Sequence, residues 1–315
     1  MARSGPRLLL GGPIAEQIEA GVASDAEAYR LGYGHAPVLA IVVCGHDAPS
    51  MVYLRQILRR CERVGLVGRL VEVEGEDMEA DVVAALHRLA ADPEVAGVIV
   101  QMPLPEGVRM RTVVDAIDPA KDIDGIHPLN AGLLRLGYDG FLPATAHAAI
   151  EILKRSGIEI AGREAVIIGR STVVGMPAAF MLVRENATVT VCHSRTRDLR
   201  RHVRRAEILV VAAGRAGLVT GDMLRRGAVV VDVGINIVDG HLVGDVDFAS
   251  AAPIASAITP VPGGVGPLTN ALLLAHLMRA ARRQAEARAG AVPPALVLPA
   301  APGGPTIPTL TRGGT

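Results

Sequence analysis

Short continuous apolar runs alternate along this chain with longer segments whose apolar residues recur every three or four positions. Pro37 to Cys44, Arg69 to Val73 and Ala96 to Val100 read as strands, and Ile14 to Arg30, Ser50 to Val64 and Met78 to Ala91 as the helices around them. Gly45 to Pro49 reads as a turn. After a junction near Leu142-Pro143 the alternation resumes. A helix from Thr145 to Lys154 leads into strands at Ala165 to Ile168, Ala187 to Cys192, Glu207 to Gly214 and Ala228 to Asn236. Asp239-Gly240 then sits at the middle of a hairpin from Ile237 to Val243. A last helix should run to about Arg288, and Ala289 to Thr315, nearly all Ala, Pro and Gly, should be disordered. The pattern predicts an α/β protein of two domains built on parallel sheets.

Composition sharpens this. Half the residues are apolar, yet aromatics make up only 2% and Trp is absent, so the cores must be built from Val, Leu, Ile and Ala. The 32 basic and 32 acidic residues cancel and are mixed through the chain, which argues against a nucleic-acid partner. A basic run at Arg197, Arg200, Arg201, Arg204 and Arg205 is interrupted by Leu199 and Val203 and reads as a solvated helix face. Cys44, Cys61 and Cys192 are too far apart for a zinc or disulfide pattern and read as reduced, buried thiols, so no metal is expected. No apolar stretch is long enough for a signal peptide or a bilayer span; the expectation is a cytoplasmic protein without membrane contact.

The candidate chemistry centres on Ala165 to Pro177, where an apolar strand breaks into Gly169-Arg170-Ser171-Thr172-Val173-Val174-Gly175 and opens a helix. Glycines there let backbone N–H groups approach an anion at the positive end of the helix. The next strand ends in His193-Ser194-Arg195-Thr196, with no acid at its tip to hold a free ribose 2′-hydroxyl. Ser194 and Arg195, with Arg170, suit a 2′-phosphate instead, which points to NADP rather than NAD. Later strands end at Gly214 and at Gly234-Ile235, where a flat cofactor could lie. In the first half, Gln101 stands on a strand's carboxyl edge before Met102-Pro103-Leu104-Pro105, either facing a ligand or satisfying loop backbone. Lys121-Asp122-Ile123-Asp124-Gly125 carries two carboxylates two residues apart, of which at most one should face a site. Thr259 to Pro267, rich in Pro and Gly, can present backbone groups to a ligand.

Five of these runs, in order, resemble the bifunctional methylenetetrahydrofolate dehydrogenase/methenyltetrahydrofolate cyclohydrolase family: Val100 to Pro105, Lys121 to Gly125, Gly169-Arg170-Ser171 with Val174 to Pro177, Asp232 to Asn236, and Thr259 to Pro267. The likeness covers roughly Gly11 to Arg283. It implies a folate-binding catalytic domain over residues 1–142 completed by a helix at 267–288, a Rossmann-like NADP-binding domain over 143–266, tetrahydrofolate one-carbon derivatives as substrates, and a homodimer. By the same match, Tyr53, Gln101 and Asp124 are catalytic, and Ser50, Tyr53, Gln101, Asp124, Pro262, Gly263 and Gly264 contact the folate. Gly169, Arg170, Ser171, Gly175, Ser194, Arg195, Gly214 and Ile235 would hold the cofactor.

The resemblance fails at one informative place. Family members carry a catalytic lysine four residues after the tyrosine, and here that position is Ile57. Hydride transfer needs orientation and exclusion of water. Cyclohydrolysis needs proton transfer by a group tuned toward neutrality, and Ile57 has no proton to move. Arg55, Arg59 and Arg60 are poor substitutes, and the only lysines are Lys121 and Lys154. The expected activity is therefore NADP-dependent oxidation of 5,10-methylenetetrahydrofolate with weak or absent cyclohydrolase. A non-catalytic folate- or NADP-binding paralogue and a dehydrogenase for a related pterin are the alternatives. At the junction the family's Pro-Cys-Thr-Pro appears as Pro143-Ala144-Thr145-Ala146, with Thr145 expected to cap the following helix.

Overall fold

A computed structural model describes residues 5–45 and 48–290, with the side chains of residues 48–53 outside that description. The first half runs β1 (Arg7–Leu8), α1 (Gly11–Tyr33), β2 (Val38–Cys44), α2 (Ala48–Arg63), β3 (Val67–Val73), α3 (Met78–Ala91) and β4 (Val95–Val100). Three helices lead to the second half: α4 (Met110–Asp115), α5 (Pro128–Leu136) and α6 (Ala144–Arg155). There follow β5 (Glu164–Ile168), α7 (Gly175–Arg184), β6 (Thr188–Cys192), α8 (Leu199–Val203), β7 (Ile208–Val211) and β8 (Val229–Asp232). The hairpin β9 (Asn236–Val238) and β10 (His241–Val243), α9 (Phe248–Ala251), β11 (Ala257–Ile258) and α10 (Val265–Arg288) complete the chain.

Two sheets carry the architecture. Strands β3-β2-β4 form one, and β1-β11-β8-β7-β5-β6 the other, every pairing in them parallel. Their side chains alternate between faces as the two-residue period requires. Leu39, Ile41 and Val43 of β2 join the same core as Ala165 and Ile167 of β5 and Ile208 and Val210 of β7. Val38, Ala40 and Val42 turn to a separate core with α3, and Val166, Ile168, Leu209 and Val211 to a third with α8. The shared core is filled by α1, α6 and α10, so the two sheets are clamped around one apolar filling. Each Leu or Ile buried in it contributes about 1.5–3 kcal/mol. Helix α10 packs on α1, α6 and β4, which ties the chain's last helix to its first half.

Several expectations need correction. The residues expected to open the folate unit at 1–142 include β1, which adds to the edge of the second sheet at β11. Thr145 does not cap α6: the cap position is Pro143, no side chain of its own closes the turn, and the Asp124 carboxylate accepts from the Ala144 N–H instead. Helices α4 and α5 were not anticipated. For α5 the signals exist, with Pro128 in the first turn and Gly137 at φ 80° past the end, but exposed Leu129 and Leu136 blur its periodicity. Cys61 and Cys192 are buried, while Cys44 is only half-buried. His46 and Asp47 of the expected turn, and residues 291–315 of the expected tail, lie outside the described residues.

Candidate active site

The cofactor side is built where β5 ends. The Gly169 N–H donates to Cys192 O at 2.9 Å, and its φ of 123° suits glycine alone. A Cβ there would lie 2.1 Å from Ala212 O, and one on Gly175 only 2.2 Å from Gly169 O. The strand, the turn and the start of α7 are thus pressed together as a cradle needs. Ser171 Oγ accepts from the Val174 and Gly175 N–H groups at 3.1 and 3.3 Å. Its hydroxyl hydrogen remains able to donate outward. Arg170, Ser194 and Arg195 are exposed, and among the described residues neither guanidinium has a carboxylate partner. These groups fit a dinucleotide with a 2′-phosphate.

The far rim of this cradle rests on two buried acids that the sequence reading did not single out as site residues. Asp245 accepts from the N–H groups of Ala213, Gly214 and Arg215 at 2.6, 2.9 and 2.8 Å, and from Asn236 Nδ2 at 2.9 Å. Asp232 accepts from the N–H groups of Gly234, Asp245 and Val246, and burial pushes its carboxyl up to about 6 against those bonds. Together they fold the β9–β10 hairpin back on the ends of β7 and β8 and set the Gly214 and Ile235 backbones. Nothing local in the sequence marks an acid as the hub of a loop 30 residues away.

Two cavities sharing Thr145 form the cleft between the sheets. One, of about 380 Å³, is lined by Gln56, Arg60, Thr145, Ile235, Asn270 and the Pro260–Pro267 loop, including Pro262, Gly263 and Gly264. The other, of about 570 Å³, is lined by Val100, Met102, Pro103, Leu104, Asp124, Thr145 and Val173. Asp122 and Asp124 separate as the spacing suggests. Asp122 is fully engaged inside, accepting from Ile126 N, His127 N and Asn130 Nδ2. Asp124 faces the cavity, and its burial, with the Asp122 charge adding to it, pushes its carboxyl up to about 7. Gln101 is half-buried, lines neither cavity, and donates from Nε2 to Met102 O at 2.5 Å, as in the loop-satisfying alternative.

Ile57 is 2% exposed and packs with Leu54 and Cys61 on the core face of α2. Gln56 and Arg60 stand on the cleft side instead. Both lysines are occupied elsewhere. Lys121 Nζ donates to the carbonyls of Leu89, Ala90 and Asp92 at 2.8, 2.8 and 2.7 Å, closing the end of α3, and Lys154 pairs with Glu185 at 2.6 Å. Ser50 and Tyr53 lie on α2, but their side chains fall outside the described residues.

The description "Tetrahydrofolate dehydrogenase/cyclohydrolase, catalytic domain" matches residues 9–124, and its "NAD(P)-binding domain" counterpart matches residues 143–285. The chain belongs to the tetrahydrofolate dehydrogenase/cyclohydrolase family. It is 50% identical over 283 residues to "Bifunctional protein FolD 1" of Rubrobacter xylanophilus, covering 89% of this chain and 99% of that protein. The bifunctional FolD enzyme of Campylobacter jejuni superposes with a TM-score of 0.85 at 38% identity, over 87% of this chain and 98% of that one. The Trypanosoma brucei dehydrogenase-cyclohydrolase, solved with NADP and an inhibitor, gives 0.85 at 34% identity, over 90% and 99%. The two-domain α/β fold, the enzyme class and a nicotinamide dinucleotide as cofactor follow from membership. Among the described residues no cluster of His, Cys, Asp and Glu could hold a metal, and no helix is long and apolar enough to cross a membrane.

Proposed function

We propose that this chain oxidises 5,10-methylenetetrahydrofolate to the methenyl form with NADP, and that its cyclohydrolase activity is weak or absent. What supports this is Ile57, which stands where the resemblance expects the lysine and is 2% exposed in the core. When bound, NADP supplies the hydride acceptor. The protein's part is to hold and orient. Arg170, Ser194 and Arg195 provide the donors for the phosphate end, the N-terminus of α7 the partial positive charge, and the Gly214 and Ile235 backbones the platform. Asp124 accepts from the pterin's N–H groups, Pro262 to Gly264 form the wall, and apolar Val100, Met102 and Leu104 keep water from the one-carbon unit. Residues 1–142 with 267–288 serve as the folate unit, apart from β1, and 143–266 as the cofactor unit. As the resemblance implies, the protein works as a cytoplasmic homodimer, which sedimentation can test.

Hydrolysis of the methenyl product needs water added and protons moved. Neither lysine reaches the cleft as its free amine, and Arg60 is committed to Glu19. One observation favours a second reading. Asp124, raised to about 7, has the affinity of a neutral-pH proton acceptor, so hydrolysis could pass to this carboxylate. The test follows NADPH and methenyl absorbance together on methylenetetrahydrofolate and NADP. Persistence of the methenyl product supports the proposal. Hydrolysis at the rate of ordinary family members overturns it, and loss of that hydrolysis in Asp124→Asn would assign it to the carboxylate. No NADPH at all would refute the dehydrogenase assignment.

A further inference from the structure

Behind Asp124 lies a polar group that the reaction as described does not use. His276 of α10 is 5% exposed, and its Nδ1 lies 2.8 Å from Ile123 O, the carbonyl of the peptide that leads into Asp124. Its Nε2 lies 3.2 Å from Nδ1 of His147 on α6, with the two rings within 11° of parallel and their centroids 5.3 Å apart. The tautomers follow from the partners. A carbonyl only accepts, so His276 carries its proton on Nδ1; its Nε2 then accepts, and His147 must carry its own proton on Nδ1. Burial holds both rings neutral, pushing His147 down to about 4 and His276 to about 3. A charged pair would lose the acceptor that joins the rings.

The surroundings make this chain of two bonds directional. His147 Nε2 points toward Glu151 at 4.0 Å, and Arg155 already holds that carboxylate at 2.6 Å. Lys154 on α6 and Arg279 on α10 both disfavour a further positive charge on His147. From the loop, the group that meets His276 is the Ile123 carbonyl. The three elements so joined each furnish a wall of the cleft: the loop gives Asp124, α6 gives Thr145, and α10 gives Asn270. Gly125, at φ 65°, seats the same loop on Leu142 and Pro143, where a Cβ would come within 2.5 Å of the backbone.

We propose that His276, backed by His147, is a positioning residue for folate binding: it pins the Ile123 carbonyl and so sets the direction in which Asp124 meets the pterin. The inference rests on the folate role given to Asp124 above. It predicts a defect confined to one substrate, because the His276 hydrogen bond holds the loop that carries Asp124 and none of the loops assigned to the cofactor.

The experiment compares wild type, His276→Leu, His276→Asn, His147→Leu and Asp124→Asn as full chains, measuring KM for methylenetetrahydrofolate and for NADP, kcat, and the pH profile of kcat/KM. His276→Leu should raise the folate KM about tenfold, the scale of one lost buried hydrogen bond, and move the profile's transition near pH 7. The NADP KM should stay unchanged. His276→Asn, whose amide can still donate to Ile123 O, should restore the folate KM, and His147→Leu, which also serves if His276→Leu does not fold, should give a smaller rise of the same kind. Equal rises in both KM values, no rise, or failure of the asparagine to rescue would overturn the proposal while leaving Asp124 in its role. A normal folate KM in Asp124→Asn would overturn both.

Discussion

On the cofactor side of the cleft, Arg170 and Arg195 stand exposed and, among the described residues, without carboxylate partners; on the α2 side, Arg60 and Arg63 both close on the buried carboxylate of Glu19. The lysines are spent in the same way, Lys121 on the end of α3 and Lys154 on Glu185. A cation paired with a buried acid is part of the packing, since breaking such a pair strands a charge. The two sides thus differ in what holds their arginines: on α2, Arg60 and Arg63 are held by a core acid of α1 beside the buried Ile57, whereas Arg170 and Arg195 stand at the surface.

Ile57→Lys is the strongest test of that contrast. Restoring an amine there should raise methenyl hydrolysis about a hundredfold or more, the usual contribution of a positioned acid-base group, provided the side chain can reach past Gln56 to the cleft. An unchanged rate would mean that burial, not residue identity, silences the position. The same variant should lower Tm, because position 57 is inside the core.

Next in size, Asp124→Asn should cut kcat/KM of the dehydrogenase about a hundredfold, the scale of a lost charged hydrogen bond in a dry pocket. On the opposite wall, Arg195→Ala should raise the KM for NADP about tenfold and leave the KM for NAD unchanged. Equal effects on both cofactors would place Arg195 away from the 2′-phosphate and dissolve the contrast between the walls.

The smallest effect is on stability against pH. Asp124 is raised from 3.8 to about 7 by folding, so between those values the folded state holds a proton that the unfolded chain has released. Its contribution is present below pH 4 and is lost as pH rises toward 7. His147 runs the other way: lowered to about 4, it stays neutral while the unfolded imidazole is charged, and stability rises with pH up to about 6.5. The two offset in wild type. Asp124→Asn should therefore show a Tm that climbs with pH between 4 and 6.5 more steeply than wild type does, and parallel curves would contradict the raised carboxyl.

The parallel sheets, the phosphate turn and the hairpin are legible in the sequence because each rests on a local rule: continuous apolar runs, glycines where φ is positive, and Asp239-Gly240 at a tight turn, where φ is 51° and 77°. The two acids of Lys121 to Gly125 are also partly legible, since an extended segment cannot turn both to one side. What the local rules could not supply is the partner of each polar group. Thr145 reads as a helix cap, yet Asp124 makes that contact from 20 residues earlier in the chain. The pattern assigns Arg7 and Leu8 to no strand, yet they edge the second sheet beside β11.

Sequence alone determined the order of strands and helices, the class of cofactor and an apolar side chain at position 57, because propensity, glycine geometry and residue identity are properties of neighbours in the chain. Only the tertiary structure decided which charges are free to meet a ligand. Arg60 and Arg195 are alike as residues; Glu19 from α1 claims the first, and no acid among the described residues pairs with the second. Asp122 and Asp124 likewise diverge only when Asn130 and the His127 N–H enclose one and the cleft opens before the other. Burial and pairing are long-range facts, fixed by packing between distant segments, as His276 on Ile123 shows across 153 residues of chain.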